Sequence, residues 1–195
     1  MRIIAGSLKG RRLQAPTWDG LRPTSDKLRE TLFNVVAPRI AGATVLDGYA
    51  GSGAVGLEAL SRGAAHVTFV ERDRRAVALI EANLEHCGVT DRYAIIRARF
   101  AGNERPPAGH RFDLVFLDPP YGATELAAAL EAGGPLIAGG ALLILEHATR
   151  DAAPETSGPL VRTREIVSGD SALTLYQRSG DAGGDQAGET APNKD

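Results

Sequence analysis

Short apolar runs that alternate with helical segments make up the chain from residue 44 onward. The runs at 67–70 and 114–117 are almost entirely apolar, which is typical of strands buried on both faces of a sheet. We expect strands at 43–47, 66–71, 93–98, 112–118, 141–146, 160–167 and 171–177, and helices at about 54–62, 73–86 and 124–132. This pattern predicts an α/β fold: a Rossmann-like, seven-stranded, mostly parallel sheet that ends in an antiparallel hairpin.

Composition places this sheet in a single domain, because 195 residues with 43% hydrophobic content support one core. We expect a basic arm and helix at 1–40, a core at 41–178 and a disordered tail at 179–195, since the tail is rich in glycine and lacks large apolar residues. No apolar run approaches the ~20 residues of a membrane-spanning helix. Cys87 is the only cysteine, so we expect no disulfide and no metal site. We also expect a cytoplasmic monomer.

A glycine-rich segment joins the first strand to the next helix. Gly51, Gly53 and Gly56 have the spacing that lets backbone N–H groups approach a ligand at a helix N-terminus. Asp47 lies four positions before the first of them, where a carboxylate would repel a pyrophosphate and attract a cationic α-amino group. Glu71, at the end of the second strand, is placed to accept hydrogen bonds from a ribose. The segment therefore favours S-adenosylmethionine over NAD.

An acid, two prolines and an aromatic residue directly follow a buried strand, as Asp118-Pro119-Pro120-Tyr121. Asp118 and the carbonyl of Pro119 can each accept an N–H from a planar amine or amide, which would aim the nitrogen lone pair at a sulfonium methyl. Tyr121 is suited to stacking on a planar target that has left its helix. The motif indicates N-methylation, but adenine, guanine and glutamine all stay open as targets.

The first dozen residues contain four cations and no acid, namely Arg2, Lys9, Arg11 and Arg12. This basic arm is expected either to grip RNA phosphates or to form a ribbon packed on the domain. Arg22 is a further candidate for contacting RNA. Arg29 either contacts RNA or caps and solubilises the helix that is predicted within residues 1–40.

Several blocks of the sequence are similar to one bacterial family. They are Met1-Arg2-Ile3-Ile4-Ala5-Gly6, Leu21-Arg22-Pro23-Thr24-Ser25-Asp26, Gly56-Leu57-Glu58-Ala59-Leu60-Ser61-Arg62-Gly63-Ala64 and Leu175-Tyr176-Gln177-Arg178. Together with the segments around Asp47 and Asp118, they resemble the 16S rRNA guanine-N2 methyltransferases often called RsmD. The resemblance covers about residues 1–178.

The resemblance implies a class I S-adenosylmethionine-dependent methyltransferase that modifies one guanine N2 of 16S rRNA within an assembled or assembling small subunit. It implies that Asp118 to Tyr121 hold the target amine. The cofactor site is predicted to comprise Asp47, Tyr49, Gly51, Ser52, Gly53, Glu71, Arg72 and Phe100. The RNA surface is predicted to comprise Arg2, Lys9, Arg11, Arg12 and Arg22.

Two positions depart from the family pattern. Gly48 replaces the apolar residue expected after the motif aspartate, and we expect this to loosen the loop. Arg99-Phe100 stands where an acid and a small residue are expected, so Phe100 either flanks the adenine of the cofactor or is ordinary core. Glu146, at the end of the fifth strand, is interpreted as a solvated edge residue.

Three other functions stay open. A glutamine-amide methyltransferase is expected to carry Asn-Pro-Pro-Tyr and a helical substrate domain before the glycine loop, whereas this chain has only about 40 residues there, and that segment is strongly basic. An enzyme acting on adenine in nucleic acid would use the same motif. A non-catalytic RNA-binding assembly factor is expected to have lost Asp47 or Asp118, and both are present.

Overall fold

The computed structural model describes residues 1–18, 26–102, 109–120 and 122–181. These residues form four α-helices: α1 (Asp26–Ile40), α2 (Ala54–Ser61), α3 (Arg74–His86) and α4 (Ala123–Gly133). A 3₁₀ turn covers Gly134–Leu136. The strands are β1 (Thr44–Asp47), β2 (His66–Val70), β3 (Tyr93–Ile96), β4 (Phe112–Leu117), β5 (Ile137–Ala148), β6 (Thr156–Ser157), β7 (Leu160–Ser168) and β8 (Ser171–Arg178).

All of these strands belong to one sheet with the order β3-β2-β1-β4-β5-β8-β7-β6. The pairs from β3 to β5 are parallel, while β8 runs antiparallel to both β5 and β7. The predicted α/β fold with a mostly parallel sheet and a terminal antiparallel hairpin is confirmed. Because β1, β2, β4 and β5 are parallel, their carboxyl ends meet at one edge of the sheet.

The sheet differs from the sequence prediction in two places. β5 begins at Ile137, four residues before the expected start at 141, and its first part contains Gly139 and Gly140. These glycines carry no side chain to show an alternating pattern, and the register with β4 shifts across them. β6 has only two residues, too few for any periodicity in the sequence. The sheet therefore has eight strands instead of seven.

Helices cover both faces of the parallel part of the sheet. On one face, side chains of α1, α2 and α3 such as Leu32, Leu57 and Ile80 pack into one apolar cluster. On the other face, α4 contributes Leu126 and Leu130 to a second cluster. From Leu114 to Leu117, successive residues of β4 enter the two clusters alternately, which explains why this part of the strand is uniformly apolar. No helix in the described part of the chain is long and apolar enough to cross a membrane.

The basic arm forms a ribbon that packs on the domain. Arg2 and Arg12 form an antiparallel bridge, and Ile3 and Leu13 are buried in the cluster with α1, α2 and α3. Buried Glu58 of α2 accepts the backbone N–H of residues 4 and 5 at 2.7 and 3.0 Å. The backbone of the arm is therefore part of the fold.

Candidate active site

A cavity of about 510 Å³ opens at the edge where β1, β2, β4 and β5 end. The strand order reverses between β1 and β4, and this switch point is where open α/β sheets bind ligands. Most of the predicted site residues line the cavity: Asp47, Tyr49, Gly51, Ser52, Glu71, Arg72, Phe100, Asp118, Pro119 and Pro120. Gly53 does not line it. Tyr121 lies outside the described residues.

Two glycines shape the loop between β1 and α2. Gly51 has φ of +54° and Gly53 has φ of +77°, a region that side chains disfavour. The Gly53 N–H donates to the Ala50 carbonyl at 2.7 Å, and the Ala50 N–H donates to the Val70 carbonyl at 3.0 Å. Gly53 therefore serves the turn and the start of α2, while Gly51 faces the cavity.

Asp47 is a buried carboxylate at the floor of the cavity, with only 4% of its surface exposed. Its Oδ2 accepts the Gly56 N–H at 3.0 Å, which ties the end of β1 to α2. Burial raises the pKa of Asp47 to about 7, and the nearby negative charge of Glu71 acts in the same direction. A cationic group in the cavity would stabilise the ionised form, so this position suits the α-ammonium of S-adenosylmethionine.

Glu71 holds the loop from the end of β2. Its Oε2 accepts the Gly51 N–H at 2.9 Å, and its Oε1 accepts the N–H groups of Arg72 and Asp73 at 2.7 and 2.9 Å. These bonds fix the carboxylate at the cavity wall and leave Oε2 able to accept one further hydrogen bond. Glu71 therefore keeps one acceptor position at the cavity wall, and its contact with the ribose stays a prediction.

Gly48 and Phe100, which both depart from the family pattern, pack against each other, so that the larger residue fills the space left by the smaller one. A Cβ added to Gly48 would lie 2.6 Å from Leu117 Cδ2 and 3.1 Å from the Phe100 ring, so these side chains fill the space that a side chain at 48 would need. Gly48 also donates its N–H to the Phe116 carbonyl at 2.9 Å. The expectation that Gly48 loosens the loop is therefore wrong, because the larger Phe100 packs against it.

Phe100 is both core and cavity wall. Its exposed fraction is 2%, and its ring lies 5.4 Å from the Tyr49 ring, tilted by 57°. Burial raises the pKa of Tyr49 to about 12, and the buried Tyr49 hydroxyl has no hydrogen-bond partner among the described residues. This aromatic corner offers an apolar surface and one unused hydroxyl, which suits a purine such as adenine.

The β4 exit provides the predicted amine-binding group. Asp118 follows the last residue of β4 and is exposed, whereas Pro119 is buried. Both line the same cavity as Asp47 and Glu71. The structure therefore brings the predicted amine acceptors and the predicted cofactor loop to one site.

Sequence reasoning missed Glu146, which lines this cavity. The interpretation as a solvated edge residue is wrong, because β5 lies between β4 and β8 and Glu146 is half-buried. Leu117 of β4 lies opposite Leu145 of β5, so Asp118 and Glu146 are each the residue directly after this pair. The signal available in the sequence was that each of these two acids directly follows an apolar run.

The four arm cations that are predicted to contact RNA lie outside the cavity. Arg2, Lys9, Arg11 and Arg12 are exposed, although Arg11 Nη1 also donates to the Cys87 carbonyl. Arg22 lies outside the described residues. The described structure thus leaves the arm's cations accessible while fixing its backbone.

Arg29 has neither of its expected roles. Its exposed fraction is 0%, and its Nη2 donates to the Arg2 carbonyl and, at 2.9 Å, to Asp26. A fully buried guanidinium cannot contact RNA or solubilise the helix. Arg29 instead ties α1 to the basic arm.

Asn83 connects the basic arm to the cofactor loop. This buried α3 side chain accepts the Gln14 N–H at 2.8 Å, donates to the Gln14 carbonyl at 3.2 Å and donates to the Ser52 carbonyl at 3.0 Å. One amide therefore satisfies backbone groups of both segments. Nothing local in the sequence marks this residue, because its partners are distant along the chain.

Comparisons with known proteins agree with this geometry. The "Ribosomal RNA small subunit methyltransferase D" of Escherichia coli K12 is 38% identical over 180 residues, covering 91% of this chain and 90% of the relative. YlbH of Bacillus subtilis is 37% identical over 184 residues, covering 92% and 100%. A solved Escherichia coli structure is 38% identical, covers 91% of this chain and 97% of its own, and superimposes with a TM-score of 0.78.

A solved structure from Thermus thermophilus is similar at 30% identity, with coverage of 91% and 99% and a TM-score of 0.71. The family model described as "Conserved hypothetical protein 95" matches residues 1–177, nearly the same range as the resemblance found in the sequence. The fold, the cavity and these relatives agree, and the chain belongs to the Conserved hypothetical protein 95 family.

Proposed function

We propose that this protein transfers a methyl group from S-adenosylmethionine to the exocyclic N2 of a guanine in small-subunit rRNA. The observation that carries the proposal is a single cavity whose lining includes Asp47 and Glu71, which we call the cofactor end, and Asp118 and Pro119, which we call the substrate end. Cofactor acceptors and amine acceptors therefore face the same space. Methyl transfer requires this proximity.

The cofactor end suits the polar groups of S-adenosylmethionine. Asp47 would pair with its ammonium, Glu71 would accept its ribose hydroxyls, and the corner of Tyr49 and Phe100 would border its adenine. When bound, the cofactor supplies an electrophilic methyl group on a sulfonium. The chain's own contribution here is to bind and orient, because Asp47 and Glu71 are held by backbone N–H groups.

The substrate end deals with a poor nucleophile. The lone pair of an exocyclic amine is delocalised into the purine ring, so the nitrogen must be drawn towards a tetrahedral geometry. Asp118 and the Pro119 carbonyl would each accept one N–H of the amine and stabilise the positive charge that develops on nitrogen. Tyr121, outside the described residues, would stack on the base.

RNA as the substrate class rests on the relatives. The Escherichia coli relative is named as a small-subunit rRNA methyltransferase, and it aligns with most of this chain. The protein is therefore an S-adenosylmethionine-dependent RNA methyltransferase. The choice of guanine, of its N2 atom and of an assembled or assembling subunit is the part that we propose beyond this statement. The exposed cations of the basic arm support a phosphate-rich partner.

Nucleoside mapping of small-subunit rRNA tests the proposal. RNA from cells with and without the gene is digested and analysed by mass spectrometry, and the gene is restored either intact or as Asp118→Ala. We expect one N2-methylguanosine to disappear and to return only with the intact gene. Loss of a methyladenosine would assign the motif to adenine. An unchanged rRNA would overturn the proposal and favour a protein amide or a non-catalytic role.

A further inference from the structure

Glu146 and Asp118 lie side by side where the pairing of β4 with β5 ends. β4 and β5 are parallel, and Leu117 lies opposite Leu145. Asp118 and Glu146 are the next residues along these two segments, and adjacent strands are about 4.8 Å apart. Both residues line the cavity, so two carboxylates flank the place where the target base must enter.

Glu146 follows the side-chain alternation of the sheet, and Asp118 is the first residue after β4. Phe116 and Ile144 pack in the cluster with α1, whereas Leu117 and Leu145 pack in the opposite cluster. Glu146, the next residue of β5, therefore returns to the α1 side. There the cavity wall also contains Leu28, Leu32 and Leu173, which offer apolar surface to a planar ring.

This arrangement matches guanine and opposes adenine. In guanine, the exocyclic amine is next to an N1–H donor, whereas in adenine the amine is next to an N1 lone pair. An ionised carboxylate only accepts hydrogen bonds. A carboxylate beside the amine acceptors would therefore bind guanine N1–H and repel adenine N1, by the same edge reading that other base-flipping enzymes use.

We propose that Glu146 is the residue that selects guanine, by accepting its N1–H while Asp118 and the Pro119 carbonyl hold the N2 amine. This inference rests on the proposed function. The half-buried position of Glu146 strengthens such a bond, because a hydrogen bond to a charge is stronger away from water. Glu146 sets specificity and does not touch the methyl group or the attacking nitrogen.

The test compares guanine with 2-aminopurine, which keeps the exocyclic amine but has a lone pair at N1. Small subunits are reconstituted on ligated 16S rRNA with either base at the mapped position, and single-turnover methylation is measured. The intact protein should prefer guanine by about 100-fold or more, as expected for a site built to bind a donor that the analogue lacks. Glu146→Gln should reduce this preference at least about tenfold, because an amide can donate to N1 of 2-aminopurine.

Two further variants make the result specific. Glu146→Asp keeps the carboxylate and should keep the preference for guanine. Glu131→Gln, on the exposed face of α4, removes the same charge elsewhere and should change neither rate. If Glu146→Gln methylates neither RNA, the preference is measured instead as the ratio of the affinities for the two RNAs, by competition for binding.

The outcomes separate this inference from the proposed function. An unchanged guanine preference in Glu146→Gln, with guanine methylated by the intact protein, overturns the role of Glu146 alone. If the intact protein methylates guanine in neither RNA nor subunit, the proposed function fails and the inference fails with it.

Discussion

The two ends of the cavity use carboxylates in different ways. At the cofactor end, Asp47 and Glu71 are buried and accept backbone N–H groups from the segments that form the binding loop. At the substrate end, Asp118 directly follows β4 and Glu146 lies near the end of β5, and both are more exposed. The cofactor end is thus built into the fold, whereas the substrate end presents its acceptors to an incoming base. Substitutions at the two ends should have different consequences.

The largest expected effect is on methyl transfer in Asp118→Ala. Removing the amine acceptor should lower the single-turnover rate roughly 100- to 1,000-fold, the usual cost of one polar contact that stabilises a transition state. Affinity for S-adenosylmethionine should stay within about twofold of the intact protein in calorimetry, since Asp118 is assigned to the amine. Parallel losses of rate and affinity would instead make Asp118 a structural residue.

Asp47→Asn should weaken cofactor binding about 10- to 100-fold, because a charged hydrogen bond becomes neutral. The pKa of Asp47 near 7 also sets the pH dependence. Affinity of the intact protein should rise from pH 5.5 to 7.0 as Asp47 ionises, because the cofactor's ammonium stays mostly protonated in this range. The Asn variant should show a flat profile in calorimetry.

The free protein provides the control for this interpretation. A carboxyl whose pKa is raised on folding adds stability below its ordinary pKa, and this contribution is lost as the pH rises through about 7. Asp47→Asn keeps an acceptor for the Gly56 N–H and cannot ionise. Its melting temperature should therefore exceed that of the intact protein by more at pH 8 than at pH 5. If Asp47→Asn melts at a lower temperature than the intact protein at pH 8, burial does not govern the pKa of Asp47.

Asn83→Ala tests whether the cofactor end depends on the basic arm. The variant leaves backbone groups of Gln14 and Ser52 without their amide partner, which should cost about 1–3 kcal/mol. The melting temperature should fall by several degrees, and cofactor affinity should fall a few-fold as the loop loosens. Asn34→Ala, at an exposed position of α1, is the control and should change neither. Normal affinity in Asn83→Ala would show that the loop is independent of the arm.

The smallest expected effect concerns the arm's side chains. Lys9 and Arg12 are exposed, so replacing both with Gln should leave the melting temperature unchanged. If both contact phosphates, RNA affinity should fall a few-fold at moderate salt, and the log–log salt slope should flatten by about 1.5–2. Arg164→Gln is the control. Arg164 is exposed on β7, next to the edge strand β6, and this variant should leave the salt slope unchanged. An unchanged slope in the double variant would remove the arm from the RNA interface.

Local sequence patterns predicted the features that depend on neighbouring residues. The uniformly apolar runs predicted doubly covered strands, and the glycine spacing with Asp47 predicted the cofactor loop. Asp118 was predicted because an acid followed by two prolines is unusual at a strand end. Each of these signals lies within a few residues of the feature that it marks.

Features that depend on distant packing could not be predicted in this way. Glu146 is half-buried and not at a sheet edge because β8 returns antiparallel beside β5, and Arg29 is buried because the arm folds over α1. Gly48 is compensated by Phe100, more than fifty positions later. The sequence contains all of these residues, but only the fold brings them together.

A cofactor titration of the single-turnover rate tests the separation of the two ends most directly. Intact protein, Asp47→Asn and Asp118→Ala are compared over increasing S-adenosylmethionine with saturating small subunits. We expect Asp47→Asn to approach the intact protein's maximal rate at high cofactor, and Asp118→Ala to stay far below it at every concentration. A maximal rate for Asp47→Asn as low as that of Asp118→Ala would contradict the assignment of binding to one end and amine activation to the other.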